Sequence, residues 1–249
     1  MDLRGRAALV TGGSGDLGSA ICRALAHAGC DVAVGYVGNR DGSLDTCRAV
    51  EKLGRRAHAV QFDQADPAVI DGAVDQAATA LGRLDVLVNN AAWNIGIPFA
   101  ELDRLDVEIW DRIYATNVRG PFLLARAAAR HMRAQGTGRI VNIASIGGLL
   151  PAGSSIAYSS SKAALIHLTR CLAVALAPGI TVNCVAPGLI EGTRMAQRLP
   201  QAVVDRTRQS VVLGRASDMG DIADQVVTFC RAESVTGQVL VIDGGMHFH

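Results

Sequence analysis

A tyrosine and a lysine four residues apart form the first pair in this sequence whose types and spacing predict chemistry. They lie in the run Tyr158-Ser159-Ser160-Ser161-Lys162, which opens a helical stretch, and residues four apart share one face of a helix. A free phenol has a pKa of about 10, and a neighbouring ammonium lowers it towards the range where a phenol acts as a general acid or base. Lys162 is one of two lysines beside 22 arginines, which favours a role that needs a compact ammonium. A surface tyrosine near a lysine is the alternative interpretation.

Two further polar residues are predicted to stand beside this pair. Residues 138–144 read as an apolar strand that delivers Ser145 at its carboxyl end, where ligands bind in open α/β sheets. Asn117 precedes Ser145 by 28 residues, and an Asn-Asn-Ala-Ala run over 89–92 ends another apolar stretch. Each residue alone is equally typical of a helix cap or a turn. Together with the tyrosine and the lysine, they predict a catalytic group.

A glycine-rich turn follows the first predicted strand and leads into a helix. Glycines permit a tight turn and a close backbone approach, and a helix N-terminus offers free N–H groups and the positive end of its dipole. This combination predicts a site for the pyrophosphate of a dinucleotide. The predicted binding residues are Gly12, Ser14, Gly15, Asp16 and Leu17.

The end of the second predicted strand bears on which dinucleotide binds. NAD sites usually place an acidic residue there, to bind the ribose hydroxyls. This chain has Tyr36 there, followed by Val37-Gly38-Asn39-Arg40. We therefore predict NADP(H) rather than NAD(H), with Asn39 and Arg40 near the 2′-phosphate. A solvated loop residue is the alternative for Arg40.

Short apolar runs alternate with amphipathic stretches along most of the chain. Strands are predicted over 6–11, 31–36, 57–61, 84–89, 138–144, 180–185 and 238–242, and helices near 16–29, 43–54, 67–81, 105–134, 156–177 and 218–231. Continuous apolar strands indicate a sheet covered on both faces, and strand–helix alternation indicates parallel strands. We predict one doubly wound α/β domain over residues 1–249, in which the irregular segment of about 188–215 is a substrate lid.

The composition argues against several other classes of protein. There are 24 basic and 23 acidic residues, a net charge of +1, which argues against binding to nucleic acid or to a membrane surface. No apolar stretch is long enough to span a bilayer. The six cysteines and six histidines lack the spacings of metal sites and disulfide frameworks, so we expect no metal. Reduced cysteines, with no signal peptide before the first strand, lead us to expect a cytoplasmic protein.

Together these motifs resemble the short-chain dehydrogenase/reductase family over residues 3 to about 246, most of all its acyl-carrier-protein reductase and carbonyl reductase branch. The resemblance includes the glycine turn, the Asn-Asn-Ala-Ala run, the catalytic group, Ala186-Pro187-Gly188 and the closing Asp243-Gly244-Gly245. It implies a Rossmann-type domain with a mostly parallel seven-stranded sheet and helices on both faces. It also implies an NAD(P)-dependent oxidoreductase that interconverts a ketone and a secondary alcohol by hydride transfer.

The resemblance also implies a role for each site residue. Tyr158 would donate a proton to the substrate carbonyl, and Ser145 would hydrogen-bond the same oxygen. Lys162 would bind the nicotinamide ribose and lower the tyrosine pKa, while Asn117 would interrupt its helix and hold a water. Further cofactor contacts would come from Asp63 at the adenine, Asn90 along the cofactor, and Pro187, Gly188 and Ile190 at the nicotinamide end.

Two places depart from the family pattern. The family turn reads T-G-x-x-x-G-x-G, and Asp16 occupies its middle glycine position here. We expect Asp16 to point away from the phosphates and to cap the helix, while Gly15 provides the close approach; a turn built on Gly13, Gly15 and Gly18 is the alternative register. Residues 136–138 and 177–179 lack the basic side chains with which carrier-protein reductases dock their partner.

The substrate, the alternatives and the assembly follow from the same residues. We expect a small-molecule carbonyl substrate, either a free ketone or an acyl thioester, in an apolar pocket. The alternatives are a dinucleotide-sensing protein without catalysis and an alcohol or polyol dehydrogenase working in the oxidative direction. Apolar residues around helix 156–177 would be exposed in a monomer. The family resemblance implies a homotetramer, with this helix and the preceding long one at one interface and 218–246 at another. The predicted pocket residues are Trp93, Ile95, Ile146, Leu149, Leu150, Leu189, Ile190 and Met195.

Overall fold

A parallel β-sheet forms the centre of the computed structural model, which describes residues 1–197 and 201–248. Within these residues the sheet has seven strands: β1 (Ala7–Val10), β2 (Asp31–Tyr36), β3 (Ala57–Gln61), β4 (Val86–Asn89), β5 (Gly138–Ile143), β6 (Ile180–Pro187) and β7 (Val239–Ile242). Their order is β3-β2-β1-β4-β5-β6-β7, and neighbouring strands are parallel. The predicted seven-stranded, doubly wound α/β fold is confirmed.

Helices cover both faces of this sheet. In chain order they are α1 (Asp16–His27), α2 (Arg40–Glu51), α3 (Pro67–Leu81), α4 (Val107–Tyr114), α5 (Gly120–Ala134), α6 (Ile156–Leu176), α7 (Arg194–Gln197), α8 (Gln201–Ser210) and α9 (Met219–Arg231). One face packs against α1, α2 and α9, and the other against α3, α5 and α6.

Alternate residues of the strands feed two separate apolar layers. In β1, Ala7 and Leu9 belong to the layer of α3, α5 and α6, whereas Ala8 and Val10 belong to the layer of α1, α2 and α9. All four residues are fully buried because both faces of the sheet are covered. Burial of each large aliphatic side chain contributes about 1.5–3 kcal/mol, so these layers hold the strand ends in fixed positions.

The single helix predicted over 105–134 is divided in the structure. α4 ends at Tyr114, a π-helical turn spans Ala115–Arg119, and α5 begins at Gly120. Pro121 lacks an N–H group, so it cannot continue an α-helical bond to the carbonyl of Asn117, although proline is favourable in the first turn of a new helix. The prediction of one continuous helix is therefore wrong, because two α-helices separated by a π-turn occupy this stretch.

The segment 188–215 contains the short helices α7 and α8, and Ile190 forms a parallel bridge with Ser217 beyond it. Residues 198–200, inside the predicted lid, lie outside the described residues, as do His249 and the side chain of Met195. The lid and the extent of the single domain stay predictions.

Three negative expectations concern the described residues as well. No described helix combines the length and apolar character that crossing a membrane requires. Histidine, cysteine and acidic side chains form no cluster suited to a metal ion in residues 1–197 and 201–248. All six cysteines are free, and five are buried; Cys171 on α6 is exposed.

Candidate active site

Four strands deliver the predicted site residues to one edge of the sheet. β1, β4, β5 and β6 are consecutive neighbours and end at Val10, Asn89, Ile143 and Pro187. Because the strands are parallel, the glycine turn, the Asn-Asn-Ala-Ala run, Ser145 and Gly188 follow along the same edge. The strand order reverses between β1 and β4, where open α/β sheets form their ligand crevice.

The glycine turn is fastened to the loop after β4. Thr11 Oγ1 accepts hydrogen bonds from the N–H groups of Asn90 (3.1 Å) and Ala91 (2.9 Å), and Asn90 Nδ2 donates to Thr11 O at 2.9 Å. Gly12 has φ +64°, which favours glycine, and a Cβ on Gly18 would lie 2.2 Å from Gly12 O. These residues form a backbone cradle at the start of α1 that has no room for side chains.

Asn39 also braces this turn. Its Nδ2 donates to Ser14 O at 3.1 Å, and its Oδ1 accepts from Gly42 N at 3.1 Å as the N-cap of α2. This cap explains why α2 starts at Arg40, three residues before the predicted start at residue 43. Arg40 itself is exposed at the first position of α2. It therefore lies next to a residue that contacts the glycine turn.

Asp16 is the first residue of α1, and Gly15 occupies the N-cap position. A carboxylate in the first turn is favoured by the helix dipole, whereas Gly15 has no side chain with which to cap the helix. Whether the Asp16 carboxylate points away from a bound pyrophosphate stays a prediction.

Ser145 and Tyr158 lie close together. Ser145 follows β5, its Oγ accepts from Gly147 N at 3.1 Å, and its hydroxyl is near enough to the Tyr158 phenol to lower the pKa of that phenol. Tyr158 lies in the first turn of α6, where Ser155 Oγ caps the helix by accepting from the Tyr158 N–H at 3.1 Å. The structure therefore brings together the two hydroxyls that the sequence analysis placed around one carbonyl oxygen.

Lys162 lies one turn further along α6. Its Nζ is 5.7 Å from the centre of the Tyr158 ring and donates to Ile143 O at 2.8 Å. The lysine is 2% exposed, and this burial lowers the pKa of its ammonium to about 8. A buried ammonium held by the last residue of β5 is consistent with a functional rather than a surface lysine.

The pKa of Tyr158 departs from our expectation. Burial raises the pKa of the phenol above its ordinary value, and the hydrogen bond from Ser145 opposes this increase. Desolvation dominates this pKa, and the Lys162 ammonium donates to the Ile143 carbonyl rather than to the phenol.

Asn117 lies in the π-turn and is 1% exposed. Its Oδ1 accepts from Trp93 N at 2.8 Å, and its Nδ2 donates to Trp93 O at 3.0 Å and to Ser161 Oγ at 3.1 Å. The amide therefore joins the loop after β4 to α6, next to Lys162. The implied water-holding role stays a prediction.

The remaining predicted cofactor residues lie at the two ends of the same edge. Asp63 is exposed after β3, and its Oδ1 accepts from Ala65 N at 2.9 Å. Pro187 ends β6, and the following Gly188 donates its N–H to Ile242 O at 2.8 Å. Ile190 packs against the layer of α1, α2 and α9. This arrangement is compatible with their implied roles at the adenine and nicotinamide ends.

Residues 6–203 match the family described as short chain dehydrogenase. The chain belongs to this family. Among curated relatives of this short-chain dehydrogenase is the granaticin polyketide synthase putative ketoacyl reductase 2 of Streptomyces violaceoruber. It is 38% identical over 242 residues, which cover 96% of this chain and 95% of the relative.

Solved structures show the same architecture. A short-chain dehydrogenase from Burkholderia cenocepacia J2315 in complex with NADP is 39% identical, with a TM-score of 0.90 and 99% of each chain covered. An NAD⁺-bound xylitol dehydrogenase is 30% identical, with a TM-score of 0.92, 98% of this chain and 100% of the other covered. The protein is thus an NAD(P)-dependent oxidoreductase that interconverts carbonyl and hydroxyl groups, as the sequence predicted.

Sequence reasoning missed two residues that shape the site of this short-chain dehydrogenase. Asp243 is 6% exposed, and its carboxylate accepts the N–H groups of residues 245–247, beside Gly188. The Ser159 hydroxyl lies within hydrogen-bond distance of the carbonyls of Gly147 and Ala152, either of which can accept its proton, and so holds the loop after Ser145 against α6. The sequence Asp243-Gly244-Gly245 is typical of a turn and could have identified Asp243. Nothing in the sequence indicated the role of Ser159.

Proposed function

We propose that this short-chain dehydrogenase reduces a ketone to a secondary alcohol through Asn117, Ser145, Tyr158 and Lys162. The observation that carries the proposal is the proximity of the Ser145 hydroxyl to the Tyr158 phenol, with the buried Lys162 Nζ 5.7 Å from the centre of the Tyr158 ring. A carbonyl oxygen beside both hydroxyls would accept a hydrogen bond from each. Negative charge that develops on that oxygen would then be stabilised as the Tyr158 proton is transferred.

The protonation state of Tyr158 is compatible with a proton donor. A phenol whose pKa lies at or above its ordinary value is protonated at neutral pH. The same is true of a phenol of ordinary pKa, so the shift does not choose between reduction and oxidation. The bound nicotinamide supplies or accepts the hydride, and the residues of this chain hold the oxygen and move its proton.

The residues around the group fit a dinucleotide. A Cβ on Gly12 would lie 3.1 Å from Ala91 Cα and from Asn90 Nδ2, so the turn passes too close to the loop after β4 to carry a side chain there. The N-terminus of α1 offers N–H groups to a pyrophosphate. β2 ends at Tyr36, which offers no carboxylate to repel a 2′-phosphate. We therefore propose NADP(H) over NAD(H), a preference supported by the exposed Arg40.

A substitution tests the cofactor preference. Arg40→Ala should weaken NADPH binding by about 10- to 100-fold, since a charge-assisted hydrogen bond contributes about 1.5–3 kcal/mol, and should leave NADH binding unchanged. Arg48→Ala is the matched control, because Arg48 is an exposed arginine of the same helix that pairs with Asp45. Equal losses for both nucleotides, or no loss, would remove Arg40 from the site.

The proposed substrate is a small ketone or a 3-oxoacyl thioester. The predicted pocket residues Leu149, Leu150 and Leu189 are half-buried, and Ile146, which follows Ser145, is buried. These apolar side chains disfavour a polyhydroxylated substrate. The similarity to the granaticin polyketide synthase ketoacyl reductase supports the thioester.

The second candidate is an alcohol or polyol dehydrogenase that works by oxidation. The similarity to xylitol dehydrogenase favours it. A dinucleotide sensor without catalysis is less consistent with the site, because such a protein has no need of a buried lysine beside a tyrosine–serine pair.

We propose further that the enzyme is a cytoplasmic homotetramer. Support for the assembly comes from the exposed aromatic residues Trp110 on α4 and Phe122 on α5, which are 37% and 42% exposed. A cytoplasmic location agrees with free, mostly buried cysteines.

The deciding experiment measures both directions with one panel. NADPH and NADH oxidation would be followed with β-keto thioesters, β-keto esters, cyclic ketones and diketones, and NADP⁺ and NAD⁺ reduction with secondary alcohols and polyols. We expect ketone reduction with NADPH to give the highest kcat/KM at neutral pH. Turnover of polyols alone would favour the second candidate, and nucleotide binding without any turnover would favour the sensor.

A further inference from the structure

The π-turn next to the catalytic group contains a carbonyl whose main-chain donor is missing. The N–H of Gly120 bonds to the carbonyl of Ala115, five residues earlier, which sets the π register. In that register the next bond would run from residue 121 to the carbonyl of Thr116. Residue 121 is Pro121, which has no N–H. Thr116 is buried, so its carbonyl needs a donor other than water.

The side chain of Gln64 supplies this donor. Gln64 Nε2 donates to Thr116 O at 2.7 Å and to Ala91 O at 3.1 Å. Because both neighbours are carbonyl oxygens, the amide must present its nitrogen to them. Its Oε1 is buried without a hydrogen-bond partner among the described residues. The orientation of the Gln64 amide thus leaves its own Oε1 without a partner among the described residues and gives hydrogen bonds to two backbone carbonyls.

The turn after β3 is held against the π-turn at further points. Arg119 Nη2 donates to Ala65 O at 2.8 Å. A Cβ on Gly120 would lie 2.7 Å from Gln64 O, so the two backbones meet where no side chain would fit. The backbone of Gln64 is therefore held by contacts from Arg119 and Gly120, and its side-chain amide has a defined direction.

We propose that Gln64 is a positioning residue for Asn117, a role that rests on the proposed function. Its amide replaces the N–H that Pro121 lacks and so keeps the π-turn in the register that points the Asn117 amide at Trp93 and Ser161. Gln64 touches neither substrate nor cofactor in this proposal. Its second bond, to Ala91 O, keeps the loop after β4 at the same distance from the π-turn.

The test uses loss of the donor and its restoration from the main chain. Gln64→Leu removes the donor and keeps the approximate volume. Pro121→Ala restores an N–H that can bond to Thr116 O in the π register, and the double variant combines the two. Gln135→Leu is the matched control, because Gln135 Nε2 also donates to two carbonyls, those of Leu84 (2.9 Å) and His131 (3.0 Å), at the far end of α5. Each variant is assayed for kcat, KM, NADPH affinity and thermal midpoint.

The expected result is specific to turnover. Gln64→Leu should lower kcat about tenfold relative to wild type, with KM and NADPH affinity within about twofold, and Pro121→Ala should reverse most of this loss. Gln135→Leu should lower the thermal midpoint and leave kcat unchanged. Equal kcat values for Gln64→Leu and Gln135→Leu, or a loss that Pro121→Ala does not reduce, would overturn the proposal.

Two outcomes separate this proposal from the proposed function. If wild type turns over no ketone, the proposed function fails, and the Gln64–Pro121 pair is judged by the thermal midpoint of the same variants. If Gln64→Leu lowers the thermal midpoint and the added Pro121→Ala raises it again, the Gln64 amide does replace the missing N–H of residue 121. If the two substitutions change the midpoint independently, the proposal is overturned. If Gln64→Leu does not fold, recovery of folded protein in the double variant supports it, and failure of the double variant overturns it.

Discussion

The Tyr158 hydroxyl can be removed with little change in packing, because phenylalanine keeps the ring and loses only the oxygen beside Ser145. We expect Tyr158→Phe to lower kcat by at least about 100-fold, the low end for general acid catalysis. NADPH affinity should change by less than about twofold, because the ring remains. Steady-state kinetics and a fluorescence titration with NADPH measure the two quantities.

Tyr114→Phe provides the control for this substitution. Tyr114 ends α4 and stacks on Trp110, with 5.2 Å between ring centres. It should keep wild-type turnover. A Tyr158→Phe variant that stayed within about threefold of wild type would contradict general acid catalysis by this phenol.

Lys162 is predicted to reduce stability at neutral pH. Its pKa is lowered from 10.5 to about 8 by burial, so between these values the unfolded chain binds more protons than the folded chain. Stability attributable to this lysine therefore rises with pH through that window and is lowest below about 8. We expect Lys162→Met to be inactive yet more stable than wild type at pH 7, by up to about 3 kcal/mol.

The pH series is the check on this prediction. Buried cysteines and Tyr158 also titrate above neutral pH, so the measured quantity is the difference in unfolding free energy between Lys162→Met and wild type. This difference should shrink as the pH rises from about 8 to 10.5. A constant difference would show that the lost bond to Ile143 O, rather than the buried charge, sets the stability of the variant.

At the scale of elements, strands were predictable and single hydrogen bonds were not. Continuous apolar runs such as Val86-Leu87-Val88 identify strands because burial on both faces leaves no other pattern. The family resemblance placed an interruption of the helix at Asn117, but its form as a π-turn was not predicted, since one extra residue per turn hardly disturbs the apolar period of 105–134. Asn39 was assigned to the cofactor alone, although asparagine is a common N-cap.

In the candidate site too, the positions of residues could be predicted from the sequence pattern, whereas properties that depend on the surrounding structure could not. Spacing and strand ends were enough to bring Ser145, Tyr158 and Lys162 together. The direction of the Tyr158 pKa shift depends on burial, which spacing does not reveal. The Gln64 bonds depend on two carbonyls that are distant in sequence, and no pattern of residue types identifies such a contact.

The start of α1 carries its own prediction. Asp16 in the first turn is stabilised by the helix dipole by about 0.3–1 kcal/mol, and glycine there adds backbone freedom to the unfolded chain. Asp16→Gly should therefore lower the thermal midpoint and tighten cofactor binding by less than about fivefold, or roughly 1 kcal/mol. Melting curves without nucleotide and titrations with NADPH measure both. A large gain in affinity at unchanged stability would mean that the carboxylate faces the pyrophosphate.

At the scale of the whole molecule, the face formed by α4, α5 and α6 is predicted to pair with a second copy. It exposes Trp110 and Phe122, and Val174 on α6 is 82% exposed. Burying such side chains stabilises association by about 25 cal/mol per Å². We expect light scattering at micromolar concentration to give four times 26.0 kDa, and Phe122→Glu to reduce that mass. A monomer in the unchanged protein would refute the assembly.

The distribution of the cysteines makes the protein ready for site-specific labelling without any change to its sequence. Burial raises the pKa of Cys22, Cys30, Cys47, Cys184 and Cys230, so their thiols are both inaccessible and unreactive near neutral pH. A maleimide fluorophore would therefore attach at Cys171, on α6. Fluorescence from that position, followed during dilution, would report when the outer surface of α6 gains or loses a neighbour.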